Sequence, residues 1–263
     1  MNRLRIIALT CTILVTLAVS LGASADSKLD ITNWKEILPD AVYTKMVDDS
    51  VKNLNSYTAS ASQFNQNGRK IQSEATNLIV YAEIANRGGR TSAIELRDQA
   101  VALLEAAKAK KGEEAQRIMK GVVSLVKKTA NGSPGGGTGE YDIAKVTTMK
   151  IIMDVSLKEI DKNLTAYKRL TAASFPAKAE EVKYAMYKVA AMSVATTAHL
   201  PTADFPPGKT AKDWLASAED MRKHSLAAAA AATAKKPAEF KKAVNDLSAS
   251  CSKCHDDFRV QKD

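Results

Sequence analysis

The chain has 263 residues, 25% of them charged, and its 38 lysines and arginines outnumber its 29 acidic residues, giving a net charge of +9. This length allows one large or two small domains, and the positive charge favours anionic partners without choosing among them. The lysines are scattered without interleaved aromatic residues, so we expect no nucleic-acid binding. The sequence shows no serine-histidine-acid set and no glycine-rich phosphate loop, and we therefore do not expect an enzyme.

The N-terminus has the pattern of a secretory signal peptide. Met1–Arg5 carries two arginines, an apolar run spans Ile6–Leu21, and Ala23–Ala25 provides small residues for cleavage before Asp26. The alternative, an uncleaved membrane anchor, needs about 20 apolar residues, more than this run supplies. Cys11 lies inside the run and is expected to be removed with it. We predict an exported, periplasmic protein without a stable membrane anchor, whose net charge falls from +9 to +7 on losing the two arginines.

The rest of the chain has the pattern of an all-α protein with an internal repeat. Apolar residues recur at spacings of three and four, and residues 131–139, with five glycines and a proline, predict a flexible linker. Asp48–Lys52 before the linker corresponds to Asp154–Lys158 after it, and Lys110–Gln116 corresponds to Lys235–Lys241. Each copy has about a hundred residues and four helices, the size of an antiparallel four-helix bundle. The fold class we predict is two such bundles in tandem.

The breaks in the pattern place the individual helices. In the first copy the predicted helices cover residues 40–65, 68–87, 92–110 and 113–129. In the second copy they cover residues 141–172, 177–199, 211–234 and a last helix with Pro237 in its first turn. Ser92 with Glu95, and Thr210 with Asp213, predict capping boxes at the start of the two third helices.

The most informative motif lies near the C-terminus. Cys251 and Cys254 are the two cysteines that outlast the signal peptide, and His255 follows them directly. At helical offsets of zero, three and four, all three side chains are expected on one side of the last helix. Two cysteines before a histidine in this spacing form the attachment pattern of a c-type haem. A thioredoxin-like pair expects a βαβ setting, and a zinc site needs more ligands than His199 and His224 supply.

The surrounding residues predict that the haem lies in the interior of the bundle. An inward stripe of the last helix, spaced 4-3-4-3-4, consists of Phe240, Val244, Leu247, Cys251, Cys254 and Phe258. We therefore expect one covalently attached haem c, with His255 as the proximal iron ligand.

This C-terminal motif, with Phe258 and Arg259 after it on a fourth helix, resembles the cytochrome c′ and cytochrome c-556 family, the class II c-type cytochromes. The likeness covers residues 140–263 and includes Pro206–Trp214, whereas over residues 26–131 only the helix pattern and the repeat support it. We accordingly predict a signal peptide over residues 1–25, a haem-less first bundle, the linker, and a haem-binding second bundle.

Aligning the two copies at their last helices places Val126, Thr129 and Ala130 of the first opposite the three residues of the haem motif. The first copy therefore has no haem site. We expect it to act as an intramolecular partner of the haem bundle, as a docking surface, or as a substitute for the dimer common in the family.

The resemblance also implies that the distal side of the haem faces the first helix of the second copy. There a methionine marks electron-transfer members of the family, and an apolar residue marks five-coordinate members that bind small gases. Met149 is the expected sixth ligand and Met153 the alternative, although both fit as core residues. Arg259 matches the arginine that follows the family's haem motif, where it can contact His255 or a propionate. The family's arginine near the start of this helix is missing, and Lys145 is either its substitute or a surface lysine.

Two functions follow from these readings. The first is one-electron transfer in the periplasm with a redox partner protein, and the positive charge favours an acidic one. The second is the binding of nitric oxide or another small gas at an open distal position. A weaker third reading is a haem-bearing interaction subunit. A dimer is possible, and His199 and His224 are expected to be ordinary capping or surface residues.

Overall fold

A computed structural model describes residues 33–129, 142–200 and 205–258 of the chain. Every regular element in these ranges is a helix, so the predicted all-α class is confirmed. The predicted signal peptide (1–25), the linker (131–139) and Arg259 lie outside the described residues. None of the described helices is long and apolar enough to cross a membrane.

The first half, residues 33–129, contains six helices. They are α1 Trp34–Ile37, α2 Asp40–Tyr57, α3 Ala61–Gln66, α4 Gly68–Arg87, α5 Ala93–Lys108 and α6 Gly112–Thr129. The prediction of one helix over residues 40–65 is wrong, because the chain leaves the helical path after Tyr57. Ser60 then starts α3 as an N-cap in extended conformation, and its side chain accepts a hydrogen bond from the backbone N–H of Gln63.

The second half begins with a 3₁₀ turn, Ile143–Lys145. Its helices are α7 Met149–Ile151, a π turn Ile152–Leu157, α8 Lys158–Lys168, α9 Phe175–Ala198, α10 Ala211–Thr233 and α11 Pro237–Phe258. The predicted first helix, residues 141–172, is therefore too long at both described ends. Thr148 starts α7 as its N-cap, and its side chain accepts a hydrogen bond from the N–H of Ile151.

The two predicted capping boxes have different outcomes. At α10, Thr210 is extended, its side chain accepts from the N–H of Asp213, and the Asp213 carboxylate accepts from the N–H of Thr210. At α5, Ser92 has helical backbone angles and its side chain makes no capping hydrogen bond, so that prediction is wrong. An N-cap side chain reaches the next turn from an extended backbone, which only Thr210 has. Pro237 is the first residue of α11, as predicted.

Packing closes a ring of four helices in each half and joins the halves. In the first half, α2 packs on α4, α4 on α5, α5 on α6, and α6 on α2; the second half repeats this with α8, α9, α10 and α11. Ala75–Ala85 of α4 and Val189–Thr196 of α9 are buried without a break, as in helices surrounded on all sides. These two helices pack on each other, and α4 also packs on α7 and the π turn. The buried apolar residues of both halves form one continuous core.

Candidate functional site

The inward stripe predicted for the last helix is present in α11, and its burial decreases toward the C-terminus. Phe240, Val244 and Leu247 are buried, and the following members are half-buried: Cys251, Cys254 and Phe258. Cys251 packs against the hydrophobic core. The corresponding residue of the first half, Val126 on α6, is also half-buried and packed on the core. The two copies thus use the same helix face, and in α11 that face carries the two thiols.

Both thiols are free, and their surroundings favour the protonated form. Burial raises the pKa of Cys251 to about 11, and the nearby Asp161 carboxylate adds to this effect. Burial also raises the pKa of Cys254, partly offset by a hydrogen bond with Ser217. Thiols in this state are weak nucleophiles at neutral pH.

His255 is placed differently from the two cysteines. Its side chain is exposed, whereas the thiols are half-buried on the inward side of the helix. The prediction was that all three side chains lie on one side of α11. The two cysteines agree with it, whereas the imidazole of His255 is exposed to solvent. An imidazole that takes no part in core packing keeps its ring nitrogens available to a metal ion.

An aromatic cluster fastens the C-terminal end of α11 to the rest of the second half. The ring of Phe258 meets Trp214 edge-on, with centroids 5.2 Å apart, and lies 6.3 Å from the ring of Phe205. The buried indole N–H of Trp214 donates to the backbone oxygen of Thr196 at 3.1 Å. This cluster joins the end of α9, the start of α10 and the end of α11, and so fixes the segment that carries the thiols.

An ion pair reinforces the same end of the molecule. The ammonium of Lys209 lies 2.6 Å from the carboxylate of Asp257, and both side chains are largely shielded from solvent. Neither this pair nor the contact of Phe205 was predictable from the sequence, because the residues that meet come from separate segments of the chain.

The two candidate distal ligands are half-buried and pack on the core. Met149 lies in α7 and Met153 in the π turn. In the described part of the chain, α7 packs on α4, and the π turn packs on α4 and α9, whereas α11 packs closely along α8 and α10. The segment that carries the two methionines and the C-terminal end of α11 therefore pack on different neighbouring helices. Lys145, the possible propionate contact, has a largely exposed side chain beside Asp142.

His199 is more buried than the sequence predicted. It is the C-cap of α9, as expected, but its ring is half-buried, and the buried Nε2 atom has no hydrogen-bond partner. Burial lowers its pKa, against the attraction of Asp142, which raises it. A buried imidazole nitrogen without a protein partner is rare in folded proteins. His224 on α10 is half-buried.

The residues present fit a covalently attached haem. Two free thiols one turn apart and an exposed imidazole directly after them are the groups that a covalently attached haem uses. Within the described ranges, no three His, Cys, Asp or Glu side chains gather into a group that could hold a metal ion by themselves. The chain matches no protein-family model, no curated protein and no solved structure.

Proposed function

We propose that this chain is an exported class II c-type cytochrome, resembling the cytochrome c′ and c-556 family, that carries one haem c and transfers single electrons. The observation that supports this most directly is the pair of free, half-buried thiols of Cys251 and Cys254, one turn apart on the inward face of α11. His255 follows them with an imidazole that takes no part in the core. These three residues match the attachment and ligation pattern of a c-type haem.

The packing supports a finer architecture, namely two tandem antiparallel four-helix bundles. Each half closes a ring of four neighbouring helices, and short connections such as residues 169–174 and 234–236 join helices that lie side by side. Neighbours joined by short connections run antiparallel. In this proposal the bundles occupy residues 26–130 and 140–263, and the second one holds the haem.

The roles of the individual side chains follow from their chemistry. Cys251 and Cys254 would hold the haem covalently through their sulfur atoms. His255 would supply a nitrogen ligand to the iron, and Met149, or alternatively Met153, a sulfur ligand. Arg259, beyond the described residues, is placed by the resemblance beside His255 or a propionate. When bound, the group supplies one-electron oxidation and reduction.

The setting of this activity is the periplasm. The N-terminal pattern predicts export, and the protein without its leader keeps a net charge of +7. A positive surface steers association with a negatively charged partner and makes the association rate depend on salt. We therefore propose an acidic redox protein as the electron-transfer partner.

A second candidate function is favoured by one feature of the packing. The elements that carry Met149 and Met153 are held by α4 and α9, and close packing along α11 is limited to α8 and α10 in the described residues. If neither methionine reaches the iron, the protein is a five-coordinate cytochrome c′ that binds nitric oxide or another small gas.

Optical spectra test these proposals. The full chain is expressed with its leader in cells that have a c-type maturation system. We expect the mass of one haem on the mature chain and a low-spin spectrum that carbon monoxide does not change. Protein without haem would overturn the proposal. A high-spin ferrous form that binds carbon monoxide readily would favour the gas-binding function.

Two matched variants then identify the distal ligand. Met149→Leu and Met153→Leu have nearly the same volume change, so both preserve packing to a similar degree. We expect Met149→Leu to convert the protein to a form that binds carbon monoxide, while Met153→Leu keeps the low-spin spectrum. The reverse result would assign Met153 as the ligand.

A further inference from the structure

Part of the contact between the two halves is a polar seam, defined here by three hydrogen-bonded contacts from α4 and α5 to residues 146–156. The hydroxyls of Ser73 and Ser156 lie 3.1 Å apart, and both residues are buried. The remaining contacts are Thr76 to Thr147, whose buried hydroxyls lie 3.4 Å apart, and Lys108, whose ammonium donates to the backbone oxygen of Val146 at 2.6 Å. Buried hydroxyls in contact fix the relative position of the two backbones that carry them.

The seam brackets both candidate distal ligands. Two of its contacts come just before Met149, at residues 146 and 147, and the third comes after Met153, at Ser156. Between them, α7 and the π turn pack on α4. The helix segment that the second half offers to the distal side of the haem is therefore held from outside by the first half.

The π turn sets this segment apart from its counterpart. With Asp48–Lys52 aligned to Asp154–Lys158, the residues matching the π turn lie in the regular α-helix α2. Ser156 corresponds to Ser50, which donates to Glu74 within its own half, at 2.8 Å. Single π turns within helices are frequent at functional sites, where they change the direction of the side chains around them. In the second half the corresponding serine, Ser156, instead contacts Ser73 of the first half across the seam.

We propose that the first half is a positioning element for the haem site: its seam residues Ser73, Thr76 and Lys108 hold residues 147–156 against the distal side of the haem. The inference rests on the proposed haem function and assigns a role to the haem-less copy. Neither Ser73 nor Thr76 is a ligand, and they act through the backbone that carries Met149 and Met153.

The test uses the haem-loaded full chain and two readouts. Ser73→Ala, Ser156→Ala and the double variant are compared for the ratio of low-spin to high-spin haem in the optical spectrum and for amide hydrogen exchange of residues 147–157. One buried hydrogen bond corresponds to roughly a fivefold to tenfold change in an equilibrium. We expect each single variant to lower the ratio of low-spin to high-spin haem and to speed exchange by about this factor. The double variant should add little to either single change, because both remove one contact.

The control is Ser50→Ala, which removes a hydrogen bond at the duplicated position without touching the seam. It should stay within about twofold of the unaltered protein in both readouts. If the serine variants lose their helical content, Thr76→Val replaces them, and Thr76→Ser, which keeps the hydroxyl, should restore the original behaviour.

The outcomes separate the two proposals. Haem-loaded seam variants with an unchanged ratio of low-spin to high-spin haem and unchanged exchange would overturn the positioning role and leave the cytochrome function intact. Equal effects from Ser50→Ala would also overturn it, because they would show a general loss of stability. Absence of haem from the unaltered protein would overturn the cytochrome proposal itself.

Discussion

The two halves place different chemistry on equivalent helices. In the first half, α4 and α5 are joined by a buried ion pair: Arg97 Nη1 lies 3.0 Å from Glu83 Oε2, and both side chains are almost fully buried. Arg87 holds the other oxygen of Glu83 at 2.9 Å. In the second half, α11 carries two free thiols on its inward face, and the residue of α6 that corresponds to Cys251 is Val126. One helical framework thus supports internal packing in one copy and, in our proposal, cofactor attachment in the other.

The largest expected effect comes from removing the two thiols of α11, which distinguish the second half from the first. Replacing Cys251 and Cys254 together by Ala removes both attachment points, so we expect complete loss of covalently bound haem. Mass spectrometry of the exported protein measures this directly. Cys251→Ala alone should leave at most one thioether bond. A doubly substituted chain that still carried covalent haem would show that the attachment site lies elsewhere.

The buried ion pair is the next largest test and concerns the first half. Arg97→Met leaves the buried carboxylate of Glu83 with one fewer partner, and we expect a loss of about 3–5 kcal/mol in the free energy of unfolding. Chemical denaturation followed by circular dichroism measures the loss. The double variant Glu83→Leu/Arg97→Met replaces both charges by apolar side chains and should recover most of that stability. A single variant as stable as the unaltered protein would contradict the importance assigned to the pair.

The two capping sequences sharpen the comparison at a smaller scale. Thr210→Ala removes the capping side chain of α10 and should cost about 1 kcal/mol. Ser92→Ala removes a side chain that makes no capping bond and should cost close to nothing by this mechanism. Denaturation of the two variants under identical conditions gives the difference. Equal losses would show that Ser92 contributes to the start of α5 in a way that its backbone conformation does not suggest.

The smallest expected effect concerns the C-terminal ends of α4 and α9. Gly88 and Gly89 follow the last residue of α4, and Gly89 has a positive φ of 94°. The C-cap of α9 is instead the half-buried His199. Burial lowers the pKa of His199, so below about pH 6.5 the unfolded chain binds a proton that the folded chain resists. The stability that neutral His199 provides is thus present above pH 6.5 and is lost as the pH falls.

His199→Gln should therefore reduce the loss of stability between pH 7 and pH 5, measured by denaturation at each pH. At pH 8 the histidine is neutral in both states, and any difference between the variant and the unaltered protein reports packing alone. An unchanged pH dependence would mean that the imidazole is solvated in the folded chain.

Helix positions were the most predictable part of this protein. The limits of α4 agree with the prediction, and those of α6 differ by one residue, because apolar periodicity and the neighbouring glycines mark them locally. The break after Tyr57 and the π turn were missed. The π turn is a small change of helical register, whereas the chain leaves the helix altogether after Tyr57, and apolar periodicity reveals neither of them.

The candidate site also has some features that the sequence predicts and others that it does not. The spacing of Cys251, Cys254 and His255 is legible in the sequence because all three lie within about one helical turn. The aromatic contact between Trp214 and Phe258 and the orphaned nitrogen of His199 were not, because they depend on segments far apart in the chain. Whether Met149 or Met153 serves as the distal ligand stays a prediction.

The sequence by itself determined the all-α class, the internal repeat and the two thiols beside a histidine, since each of these is a short-range pattern along the chain. The tertiary structure decided how the halves meet: α4 and α9 are buried between neighbours from both halves, and α4 holds the π turn through Ser73 and Ser156. That arrangement depends on which buried hydroxyls and apolar faces fit one another across about 80 residues of chain. Periodicity identifies an inward face but does not identify the helix that covers it.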